Sequence, residues 1–112
     1  MGKDHRKSKR VEAKHFISYD LMNTKGEIVE NGLALSLDLS REGVLLENRN
    51  GFSENDTVTI HIAVGEDVVH LTGKVKHTEK VDEAKFQMGI HFEDMTDEKA
   101  QKIASFYPDI FR

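Results

Sequence analysis

A chain of 112 residues is one domain's worth, long enough for one hydrophobic core and too short for a Rossmann-plus-substrate-domain enzyme or a large barrel. Apolar residues make up 38% and charged residues 32%, no run approaches the roughly 18–20 apolar residues of a membrane-spanning helix, and the absence of cysteine excludes disulfides and thiolate metal sites. The net charge of −4 is unevenly spread: residues 1–10 hold five Lys/Arg against one Asp, which leaves 11 basic and 19 acidic side chains in residues 11–112. A basic arm on an acidic body is not the broad basic face of a general nucleic-acid binder; it suits a local anion-binding device, or a solvated tail. The first residues have no apolar stretch behind their charges, so they are not a secretory signal, and the expected compartment is the cytoplasm.

The first strand signal spans residues 11–22, where Ile17, Tyr19 and Leu21 alternate with Phe16, Ser18 and Asp20. Asn23-Thr24-Lys25-Gly26 reads as a turn, and Asn31-Gly32 as a second one suggesting a tight hairpin. Residues 27–32 between these signals are either a short strand or part of a loop. Leu33, Leu35, Leu37 and Leu39 then share one face of a strand, with Ala34, Ser36 and Asp38 on the other, and the four leucines are expected to face the core. Gly43 to Glu47 is a short strand, ended by a polar stretch from Asn48 to Asn55. Val58, Ile60, Ile62 and Val64 form the inner face of the next strand, and Val69, Leu71, Gly73, Val75 and His77 that of another. Val81 to Ala84 reads as a turn before the face Phe86, Met88, Ile90 and Phe92. About six short strands with no helix among them predict an antiparallel barrel or sandwich, and closure into a barrel best removes exposed strand edges. Thr96 is a helix cap, followed by Asp97 and Glu98 in the first turn. Ala100, Ile103, Ala104 and Tyr107 fall on one face, and Pro108 ends a helix predicted over about 96–107.

Two short patterns carry chemistry. Arg6 to Arg10 is an R-x-x-x-R just before the first strand, and Asp38 to Gly43 is a D-x-S-x-x-G at a strand end. Average residue usage produces the first by chance in roughly a quarter of chains this long and the second in about 3%, so their joint occurrence is what informs. Two guanidinium groups four residues apart can clamp an anion bidentately or stack on a base, whereas lysine supplies only charge. A carboxylate such as Asp38 can accept from N–H donors of a ligand. Ser40 can hydrogen-bond a phosphate or hold the turn, and Gly43 allows close backbone approach or a positive φ. The competing reading of Asp38, Ser40 and Gly43 is an ordinary Asx-type turn.

With these two motifs in this order, a strand ending Met88-Gly89-Ile90-His91-Phe92 and a C-terminal helix, the sequence resembles the PilZ domain family of bacterial cyclic di-GMP receptors over nearly its whole length. The resemblance implies a six-stranded antiparallel β-barrel of split-barrel type with one short C-terminal α-helix. It divides the chain into an arm at 1–10 and a barrel domain at 11–112. It implies a non-enzymatic receptor that binds cyclic di-GMP through Arg6, Arg10, Asp38, Ser40 and Gly43. Possible additional contacts are His5, Lys7, Lys9, Arg41 and Gly89. The lysines serve general electrostatics, and Gly89 is read first as a bulge or close packing. Binding would order the arm over the barrel, and without an output domain the signal would pass to another protein of the motility, pilus or polysaccharide machinery class. Family members with an extra arginine directly before R-x-x-x-R tend to bind a stacked pair of ligands. His5 stands there in this chain, which implies one ligand per chain.

Three other readings are weaker. No acid lies in a pattern with a base or nucleophile that would make an enzyme, and Ser40 has no histidine partner in the sequence. The six histidines show no helical i,i+4 pair, so neither a metal site nor a cofactor is expected. A small nucleic-acid-binding β-barrel would need stacking aromatics and a basic groove, yet aromatics are 7% and the body is acidic. A PilZ-type interaction adaptor without ligand binding would typically lack one or both motifs, and both are present.

Overall fold

The computed structural model describes residues 15–108. Six strands, β1 (His15–Met22), β2 (Ile28–Leu39), β3 (Gly43–Asn48), β4 (Thr57–Val64), β5 (Asp67–Asp82) and β6 (Lys85–Phe92), precede one helix, α1 (Asp97–Phe106). All neighbours pair antiparallel, in a closed barrel of order β1-β2-β3-β6-β5-β4. The chain makes two three-stranded meanders, β1-β2-β3 and β4-β5-β6, joined along two seams. At one seam Tyr19 faces Ile60 and at the other Val44 faces Ile90.

Strict alternation builds most of the interior. Val58, Ile60, Ile62 and Val64 of β4 are buried, as are Val69, Leu71 and Val75 of β5 and Met88, Ile90 and Phe92 of β6. Burying a side chain of this size contributes about 1.5–3 kcal/mol each, before the entropy of ordering it. Phe52, from the polar connection after β3, also enters the core, where its ring lies 5.1 Å from that of Tyr19. Helix α1 begins as its sequence predicts: the Thr96 hydroxyl accepts from the Lys99 amide at 3.1 Å, and Asp97 and Glu98 favour the dipole. Its buried residues Ala100 and Ile103 close one end of the barrel. Tyr107, the helix C-cap, donates its hydroxyl to the Ala63 carbonyl at 3.2 Å.

Strand β2 departs from the sequence expectation in two ways. Asn31 and Gly32 do not turn; they lie inside the strand opposite Asp20 and Tyr19. The hairpin is already closed upstream. There the Asn23 side-chain oxygen accepts from the Lys25 and Glu27 amides, and Gly26 takes a φ of 83°. The leucine face is the second correction. Ala34 and Ser36 point inward, Leu33 is 63% exposed, and Leu35 and Leu37 are only half-buried. The inward places lie opposite Ile17 and Leu46, where large partners leave room only for small residues. A bulge between Ser36 and Asp38 then resets the alternation. Beyond it Leu39 packs on the core opposite Val44, and Asp38 faces outward opposite Leu45. Strand β5 likewise runs on to Asp82, so the following turn is confined to Glu83 and Ala84.

Candidate ligand groove

Past its bulge, β2 ends in a turn that Ser40 holds together. The Ser40 amide donates to the Gly43 carbonyl at 2.9 Å. The Ser40 hydroxyl donates to the same carbonyl at 3.3 Å and accepts from the Glu42 and Gly43 amides at 3.2 and 3.3 Å. The turn is fastened to the opposite meander by the Phe92 amide, which donates to the Glu42 carbonyl at 2.9 Å. Holding the turn is one of the two roles that the sequence allows Ser40.

Gly43 follows at the start of β3, where its backbone presses on β6. A Cβ there would lie 2.1 Å from the Ile90 carbonyl oxygen. Close approach, not a positive φ, is therefore what requires glycine at this position; among the described residues the glycines with positive φ are Gly26 and Gly65. Gly89 of β6 lies opposite Leu45 on one side and His77 on the other, beside a second bulge between Val75 and His77. That bulge corrects the expectation for His77, which is turned out of the barrel and exposed. Its ring covers Gly89, with atoms 2.8 and 2.9 Å from where a Cβ would stand.

These features shape an outward groove of about 340 Å³ across the β3–β6 seam. Asp38, Ser40 and Glu42 form one side, Gly43 to Leu45 and Gly89 to His91 the floor, and Lys76 the far side. Asp38, Ser40 and Gly43 of the one motif thus come together with Gly89, which the sequence singled out separately. Arg41 does not line the groove; its guanidinium pairs with Asp97 at the start of α1 at 2.8 Å, an exposed contact of small energetic weight. His5, Arg6, Lys7, Lys9 and Arg10 lie outside the described residues. The described chain begins at His15 opposite Ser36, two positions before Asp38 on the adjacent strand. Lys76, His91 and Glu42 are groove residues that the motif reading missed. The outward parity of His91 and Lys76 was the available signal, but alternation alone does not say which outward residues meet.

The Tyr19 hydroxyl donates to Glu30 at 2.6 Å and accepts from Asn48 at 2.8 Å. Burial, reinforced by the hydrogen bond to Glu30, pushes the Tyr19 phenol up to about 12. Among the described residues no cluster of three or more His, Asp or Glu is arranged to hold a metal ion, and no helix is long and apolar enough to cross a membrane.

The closed six-stranded barrel is capped by a C-terminal helix and carries a D-x-S-x-x-G turn on the rim of a glycine-floored groove. The PilZ domain family model matches residues 4–107, and the chain belongs to that family. PilZ domains are in general cyclic di-GMP-binding adaptors. The fold is similar to that of K. pneumonia MrkH in its apo state (TM-score 0.62, 18% identity), covering 98% of this chain and 53% of MrkH. The chain therefore spans about half the length of that protein. It is also similar to the PilZ domain of CeSA from a cellulose synthesizing bacterium (TM-score 0.57, 16% identity), covering 90% of this chain and 97% of the other. At these identities the likeness speaks for the fold. No curated protein matches the chain.

Proposed function

We propose that this domain is a non-enzymatic, cytoplasmic receptor that binds cyclic di-GMP in the β3–β6 groove and relays the signal to a partner protein. The observation that carries this reading is the placement of the D-x-S-x-x-G motif. Asp38 is turned outward by a bulge onto the rim of a groove whose floor includes two glycines. A flat guanine can approach the Gly43 end of such a floor closely, with its N1–H and N2 amino group directed to the Asp38 carboxylate; the His77 ring already covers Gly89. Arg6 and Arg10 supply the guanidinium groups for the two phosphodiesters. Two features support their reaching the ligand: the R-x-x-x-R segment precedes β1 in sequence, and β1 begins beside the strand that carries Asp38. Ligand bridging the arm and the groove orders the arm and creates a new surface, which selects the partner.

Calorimetric titration with cyclic di-GMP, alongside cyclic di-AMP and GTP, tests the proposal. Tight uptake of cyclic di-GMP alone, one per chain, is the expected result. Asp38→Ala should lower affinity and narrow the preference over cyclic di-AMP, because the unpaired guanine donors no longer distinguish the bases. Absence of binding by the intact chain would overturn the reading.

A further inference from the structure

The groove is acidic on one side and basic on the other. Asp38 and Glu42 stand together at the β2–β3 turn, and Lys76 is the sole Lys or Arg among the described residues that line it. An anionic ligand meets repulsion at the first side and attraction at the second. We infer that Lys76 is a further contact residue of this groove, supplying the cation that meets a phosphodiester on the wall opposite Asp38. The inference rests on the cyclic di-GMP reading above.

The local structure explains how a lysine comes to this place. Strand β5 sends Val69, Leu71, Gly73 and Val75 inward, and unbroken alternation would make His77 the next buried residue. A histidine there would bring a polar ring into an apolar interior, at a cost of a few kcal/mol unless paired. The bulge avoids this by inserting one residue, so that Lys76 and His77 together oppose Gly89. His77 takes the seat over Gly89, which lacks a Cβ to obstruct it. Lys76, exposed and displaced from the ladder, is left lining the groove.

Strand order sets the spacing. Asp38 on β2 and Lys76 on β5 are separated by β3 and β6, three interstrand steps or about 14 Å along the sheet. That span suits a dinucleotide, with a guanine edge at the carboxylate and a phosphodiester towards the ammonium. Lysine here acts as a compact charge, so its contribution is sensitive to salt and tolerant of exchange for arginine.

The test is calorimetric titration of the full chain with cyclic di-GMP at low and high salt, for wild type, Lys76→Met, Lys76→Arg and Lys80→Met. Lys80 lies on the same strand outside the groove and reports the general loss of one positive charge. Lys76→Met should weaken binding about tenfold at low salt, the deficit shrinking at high salt, while Lys76→Arg stays within about threefold and Lys80→Met near wild type. Melting temperatures should agree among all four, because both lysines are exposed. If Lys76→Met and Lys80→Met bind alike at low salt, Lys76 is not a contact, and the proposed function still stands. If wild type takes up no cyclic di-GMP, both the function and this inference fall.

Discussion

The barrel closes twice, and its two closures are built in opposite ways. Along the β1–β4 seam the outward side chains hold one another. His61 meets Asp20 at 3.1 Å across the seam, and beside it, within the β4–β5 pair, His61 meets His70 at 2.7 Å and Thr59 meets Thr72 at 3.0 Å. Along the β3–β6 seam two outward places are glycines: Gly43 presses its backbone on Ile90, and Gly89 yields its space to His77. The first seam presents side chains tied to each other. The second presents glycine backbone, with the His77 ring over Gly89, between an acidic and a basic margin. The proposed ligand would lie at the second, where Gly43 carries no side chain and the exposed His77 imidazole is what stands over Gly89.

The largest effect expected from breaking this contrast is at Gly43. A Cβ at 2.1 Å from a backbone oxygen can be relieved only by separating β3 from β6. Gly43→Ala should therefore cost about 3 kcal/mol and lower the melting temperature by more than about 10 °C. A melting temperature near that of wild type would show that the seam yields easily. Gly89→Ala provides the internal comparison: its neighbour is a movable imidazole, so the loss should be far smaller.

Next in size is Tyr19→Phe, inside the paired seam. It removes the hydrogen bonds to Glu30 and from Asn48 and should cost about 1–2 kcal/mol at neutral pH. The folded state holds the Tyr19 phenol neutral up to about 12, against an ordinary value of 10.0. A phenol raised in the folded state contributes its full stabilisation below pH 10 and loses it as pH rises towards 12. Thermal melts on both sides of that window should show the advantage of wild type over Tyr19→Phe shrinking with alkali. An advantage that stays constant would contradict the assignment.

How much of this was readable from residues alone depended on whether the signal was local. The β4 alternation from Val58 to Val64 and the Thr96 cap were legible because each is complete within one short segment. The D-x-S-x-x-G turn was legible for the same reason. The inward face of β2 was not: Leu33, Leu35 and Leu37 make a cleaner stripe than the Ala34 and Ser36 that are buried. What decides is the bulk of Ile17 and Leu46 on the neighbouring strands, together with a bulge that no local residue announces. Lys76 and His91 escaped notice because membership of the groove is a property of strand order, joining residues far apart in the chain.

Two smaller predictions sharpen the contrast. Ser40→Ala removes a hydroxyl that joins three backbone groups of the turn, and should cost about 1 kcal/mol while also weakening ligand uptake by loosening Asp38 and Gly43. A loss of affinity with no loss of stability would instead favour a direct phosphate contact. His61→Ala, on the paired seam, should cost about 0.5 kcal/mol in chemical denaturation and leave cyclic di-GMP affinity within about twofold. A larger change in affinity would mean that the two seams are coupled.

The division into two meanders also orders the events of folding. Within each meander, strands adjacent in sequence pair as hairpins, which form in about 1–10 μs. The seams join residues 35 to 48 positions apart, from Met22–Thr57 to Gly43–His91, so their chain-closure entropy falls on the last steps. Val44 and Ile90, facing one another across the β3–β6 seam, should therefore have low φ-values, with Leu71 and Leu46 higher inside their own meanders. A molecule resting on both sides of that seam would bind what forms last. It would slow unfolding far more than it speeds folding, and its residence would be visible as kinetic protection of the β3 and β6 amides against hydrogen exchange.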